Sequence, residues 1–68
     1  MTNTELLNEV IRKRGVKIGF LAEQLGITRQ AFAKKRDNHS NFTAAEIKTL
    51  CEVLGITSLR EKDAIFFA

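Results

Sequence analysis

The sequence predicts an all-α fold, a compact bundle of about five short helices in one domain over residues 1–68. Three observations predict it. Apolar residues recur at helical spacing along nearly the whole chain. Capping residues and glycines bracket the apolar runs. Proline is absent, so no segment carries the residue most able to break a helix from within. A chain this short buries only about 60% of the surface its unfolded form exposes, so the core is expected to be thin.

Each element has its own reason. The first segment runs from about Thr4 to Arg14. Asn3 or Thr4 can cap it, and Glu5 suits the positive end of the helix dipole. Leu6, Leu7, Val10 and Ile11 share one face. Arg12, Lys13 and Arg14 suit the last turn, and Gly15 is a good stop. A second segment runs from about Lys17 to Leu25 with Ile18, Leu21, Ala22 and Leu25 on its apolar face. Phe20 falls opposite that face. Gly26 ends it, and Ile27 can tuck inward.

The third segment starts at Thr28, an N-cap candidate, and runs to about Arg36. On a helical wheel with Arg29 at 0°, Ala31, Lys35 and Phe32 lie at about 200°, 240° and 300° and form the inward face. Arg29, Ala33, Gln30 and Lys34 lie outward, at about 0° to 140°. The stem of Lys35 can follow the core while its ammonium reaches water. Asp37 to Asn41 read as a polar loop. In the fourth segment Thr43 and Glu46 form a capping box, and Phe42 and Ile47 are spaced for a hydrophobic staple. Ile47, Leu50, Cys51 and Leu54 are its buried face, and Gly55 ends it. Ser58 and Glu61 repeat the capping pattern at the start of a fifth helix. Residues 64–68 either continue that helix or extend.

The net charge is +3, from 11 Lys and Arg against 8 Asp and Glu. Its distribution says more than its sum. Residues 12–36 carry eight cations against Glu23 alone, which is +8 − 1 = +7, between two acidic flanks of −2 each. Such a basic middle suits an acidic partner, nucleic acid first, or else a solvated basic face. No run of about 18 apolar residues exists to cross a membrane. The first residues lack the order of a secretory signal, and the lone Cys51 suits a reducing cytoplasm. Paired acid and base, activated nucleophile, metal cluster and Gly-rich phosphate loop are all missing, so neither an enzyme nor a cofactor is expected. One Cys and one His make no zinc site.

Two short helices joined at Gly26 can form a helix-turn-helix. Ala22 is small where the helices cross, Gly26 can take a positive φ, Ile27 plugs the angle and Thr28 caps the second helix. The N-terminal end of that helix can enter a major groove about 12 Å wide, where Arg and Gln can pair with base edges.

The stretch VKIGFLAEQLGITRQAFAKKRDN, residues 16–38, resembles the helix-turn-helix of phage repressor and Cro-type regulators, the lambda-repressor-like or XRE family. The resemblance extends through FTAAEIKTLCEVLGI and covers roughly residues 4–60. The length and the ending EKDAIFFA are similar to small prophage-encoded Cro-like regulators of Gram-positive bacteria. It implies double-stranded DNA as partner. It places Arg29, Gln30, Ala33 and Lys34 on the face that reads bases. Thr28 falls where a helix cap or phosphate contact occurs, and Asn38, His39, Ser40 and Asn41 lie in the loop that commonly touches phosphate. Position alone adds Lys17 as a phosphate contact or a solvated charge, Arg36 as a phosphate contact or an ion-pair partner, and Lys35 as a phosphate contact if the third helix turns slightly, or else a buried stem. Two positions depart from the family pattern: Ile18 stands where Gln is frequent, and Lys35 where an apolar residue is usual. Such regulators commonly dimerise. Ile65, Phe66 and Phe67 either cover the helices of their own chain or, with Phe20, form an interface. The other reading of the chain is an antirepressor or co-regulator that binds a partner repressor through Phe20, Phe66 and Phe67.

Overall fold

A computed structural model describes residues 1–68. Five helices follow in order: α1 Thr4–Arg14, α2 Ile18–Leu25, α3 Arg29–Arg36, α4 Ala44–Leu54 and α5 Leu59–Phe66. α2 packs on α3 and α4, while α1 packs on α4 and α5.

The helices begin where side chains satisfy the free N-terminal amides. Asn3, Thr28, Thr43 and Ser58 each accept a backbone N–H from their own helix. At α4 the capping box closes in both directions: Thr43 Oγ1 accepts from Glu46 N at 3.1 Å, and Glu46 Oε1 accepts from Thr43 N at 2.8 Å. At α5 only the Ser58 half forms, at 3.3 Å. α2 starts one residue later than the sequence suggests, with Lys17 as an N-cap that offers no side-chain hydrogen bond.

The core takes Leu7, Val10 and Ile11 from α1, Leu21 and Ala22 from α2, and Phe32 from α3. Ile47, Leu50 and Leu54 come from α4, Ile56 from the turn after it, and Ile65 and Phe66 from α5. Phe42 is the link between distant parts. Its ring meets Phe32 edge-on at 5.6 Å and Phe66 at 5.9 Å, so α3 and α5 share one aromatic cluster. Such pairs contribute about 0.5–1.5 kcal/mol each beyond the area they bury. Cys51 is half-buried, and burial pushes its thiol pKa upward, with smaller opposed contributions from Lys62 and Glu61.

The tail resolves the choice left open for residues 64–68. α5 continues through Phe66, with Ile65 0% and Phe66 3% exposed. Both therefore belong to the core of their own chain and are withdrawn as interface residues. The apolar face of α5 closes the core against α1 and Phe42. Phe67 remains 59% exposed, and Phe20 on α2 is 48% exposed.

Candidate nucleic-acid interface

The helix pair α2–α3 is set by the turn between them. Gly26 has φ 70°, a left-handed conformation that costs other residues strain. Its N–H donates to Glu23 O, and Ile27 N donates to Ala22 O. Ala22 is 2% exposed at the foot of this turn. Thr28 Oγ1 then accepts from Ala31 N at 3.0 Å and starts α3.

α3 is RQAFAKKR, and its two faces differ. Phe32 is fully buried and pins the helix. Arg29, Gln30 and Lys34 are exposed, with Ala33 half-covered among them. None of the three long polar side chains makes a hydrogen bond or ion pair within the chain. They lie together at the outer surface of α3, the arrangement a groove-entering helix needs.

The other cations of the basic middle are mostly engaged. Lys13 pairs with Glu9 at 3.2 Å along α1. Arg14 Nε donates to Leu54 O at 2.8 Å, so a cation of α1 satisfies a carbonyl at the C-terminal end of α4. Arg36 grips its neighbour Asp37 through Nε at 3.1 Å and Nη2 at 3.3 Å. That hydrogen bond, with a smaller direct attraction, holds the Asp37 carboxyl below its usual range against a modest opposing desolvation. Lys35 Nζ donates to Glu46 Oε1 at 2.8 Å and to Asn41 O at 3.3 Å. Four of the eight cations, Arg12, Lys17, Arg29 and Lys34, have no such partner.

Lys35 has the covered stem expected of it, but its ammonium finds a partner within the chain instead of reaching free water. Its side chain is 17% exposed, and its ammonium is bonded to the Glu46 carboxylate and the Asn41 carbonyl. It joins α3 to the N-terminus of α4 through the carboxylate of the capping box. Burial of Glu46 opposes its ionisation. The bonds from Lys35 and Thr43 outweigh that, and its pKa falls below the ordinary value. This is why a lysine is tolerated where an apolar residue would ordinarily pack.

Asn38 is also engaged within the chain. It takes a positive φ of 67° after the end of α3, which Asn accepts more readily than most residues. Its Oδ1 accepts from Thr2 N at 2.8 Å, and its Nδ2 donates to Thr2 O at 2.9 Å. With Thr4 Oγ1 donating to Arg36 O at 2.7 Å, this ties the chain's N-terminal segment to the end of α3. The side chain of Asn38 is thus a structural clamp. The amides of Asn38, His39 and Ser40 donate to the carbonyls of Lys35 and Lys34. They are closed off from phosphate, whereas the amides of Asn41 and Phe42 have no partner in the chain. The side chains of His39, Ser40 and Asn41 are exposed beside the C-terminal end of α3 and make no hydrogen bond within the chain.

Sequence reasoning missed one feature of this surface. Gly19, in the first turn of α2, lies directly under the guanidinium of Arg29. Spacing along a chain does not reveal contacts between two helices at that resolution.

Comparison with curated proteins and with solved structures gives no match. Comparison with protein families does: the family described as the Cro/C1-type HTH DNA-binding domain matches residues 6–59, from within α1 to the first residue of α5. That span contains the helix pair, the Phe32–Phe42 contact and the capping-box ion pair, and the chain belongs to the Cro/C1-type helix-turn-helix family of DNA-binding domains.

Proposed function

We propose that this DNA-binding domain is a sequence-specific transcription regulator of the prophage repressor or Cro-like kind, which lays α3 in the major groove. The observation that carries the reading is the free outer face of α3. Arg29, Gln30 and Lys34 are exposed and unpaired on a helix whose remaining long side chains are buried or bonded. Arg and Gln are side chains able to make two hydrogen bonds to one base edge. Ala33 between them offers a small apolar contact of the sort a thymine methyl accepts.

Phosphate contacts would supply most of the affinity and no direct sequence information. Lys17 at the start of α2 and Thr28 at the start of α3 are the positions proposed for them. The side chains of His39, Ser40 and Asn41, with the open amides of Asn41 and Phe42, are proposed to add contacts past the end of α3. Arg36 would reach phosphate only by exchanging its Asp37 partner.

The longest dimension of the chain is 28 Å, whereas half-sites one helical turn apart are separated by about 34 Å. Reading a two-part operator would therefore take two copies. The exposed Phe20 and Phe67 favour a second reading, in which apolar contacts recruit a partner repressor in place of DNA.

Selection of binding sites from random duplex DNA tests the first reading. A defined sequence should emerge. On it, Arg29→Ala should cost about 1–3 kcal/mol and relax one base position, with a smaller effect on random duplex. Equal losses on both duplexes would remove Arg29 from base reading. Absence of any DNA binding at low salt, with tight binding to a repressor, would favour the second.

A further inference from the structure

Four glycines punctuate the chain. Gly15, Gly26 and Gly55 have φ of 67°, 70° and 69° and end helices. Gly19 is different. It lies inside α2, without a positive φ, so its backbone asks for no glycine. Alanine would serve the helix better there. What Gly19 supplies is the absence of a Cβ, and the space a Cβ would take is occupied. A Cβ at this position would lie 2.6 Å from Arg29 Nη2, 2.7 Å from Nε and 3.0 Å from Cζ.

No carboxylate lies within ion-pair distance of the guanidinium. The first turn of α2 has no acidic residue, and its N-cap is Lys17. Arg29 has no ion pair, and no hydrogen bond within the chain holds its guanidinium. What lies against it is the bare backbone of Gly19. An exposed arginine otherwise samples many rotamers, and a partner must order them at a cost in affinity.

We propose that Gly19 is a positioning residue for DNA recognition: its missing side chain lets α2 seat Arg29 at the mouth of the helix-turn-helix, so that α3 presents it to DNA preset. This rests on the reading of Arg29 as a base-contacting residue. Restoring a Cβ displaces the far end of a flexible side chain and not backbone, so the fold survives the change.

The test is a double-mutant cycle on the duplex selected from random DNA, with random duplex as the reference. Gly19→Ala should keep or raise the thermal midpoint, because alanine favours the helix. It should lower the cognate-to-random affinity ratio by roughly 3- to 10-fold, the scale of one side chain's ordering. Gly19→Ser should do the same. In an Arg29→Ala background, Gly19→Ala should change nothing further.

An unchanged ratio in Gly19→Ala, with a clear loss in Arg29→Ala, overturns the role of Gly19 and leaves base reading intact. A full loss from Gly19→Ala in the Arg29→Ala background also overturns it, since Gly19 would then act independently of Arg29. No loss from Arg29→Ala removes the base-reading role and this proposal with it.

Discussion

Lys34 and Lys35 are neighbours in the chain and opposites in the structure. Lys34 is exposed with its ammonium unpaired, while Lys35 is largely covered and bonded to Glu46 and Asn41. The difference comes from the 100° step between consecutive helical residues. One step carries a side chain from the face that meets solvent to the face that meets α4. The basic run is therefore two populations, one that builds the domain and one left over for a partner. Net charge counts them alike, and the proposed function draws mainly on the second.

The comparison breaks most visibly at the point that holds both faces in place. Phe32 is fully buried and touches the aromatic cluster through Phe42. Phe32→Ala should cost about 3–5 kcal/mol, enough to unfold much of a domain this small. Urea unfolding followed by circular dichroism measures it. A loss under 1 kcal/mol would mean that α3 is positioned by something else.

A smaller effect separates the two lysines themselves. Lys35→Ala removes the partner of a carboxylate that is 14% exposed, and should cost about 1–3 kcal/mol of stability. Lys34→Ala should stay within about 0.5 kcal/mol of the parent. Binding should show the reverse order once affinities are corrected for the folded fraction. Equal stabilities for the two variants would contradict the division between them.

Acid titration sharpens the same pair. The carboxyl of Glu46 is held below its ordinary value of 4.5 when folded. Its contribution to stability is therefore complete above that value and is lost as pH falls through the lower, folded one. Asp37 titrates in the same direction, but it is exposed, and its pairing with Arg36 is screened by water. Glu46→Gln should flatten the acid side of the stability profile more than Asp37→Asn does. Chemical denaturation between pH 3 and 6, a range set by the ordinary carboxylate values, gives the two slopes.

Much of this was legible in the sequence, for reasons of locality. The caps Thr28 and Thr43, the turn at Gly26 and the inward Phe32 all follow from spacings of one to four residues. The outward set of Arg29, Gln30 and Lys34 follows from the same geometry. What was not legible lies across the chain. Asn38 clamps Thr2 over 36 positions, and Lys35 finds Glu46 over 11. A wheel assigns Lys35 a face and says nothing of what lies opposite, and it does not reach Asn38 in its loop. The tail shows the same limit. Ile65 and Phe66 are apolar enough for a core or an interface, and only the docking of α5 beside α1 decides for the core.

The central claim is that the free face of α3 reads DNA while the bonded face holds the helix. Titrating the isotopically labelled chain with its selected duplex, and following each backbone amide by NMR, tests this most directly. The account predicts the largest shifts at Lys17, Thr28, Arg29, Gln30, Ala33, Lys34, Asn41 and Phe42, with small ones at Phe67 and along α5. Shifts centred on Phe20 and Phe67, with α3 unmoved, would contradict it.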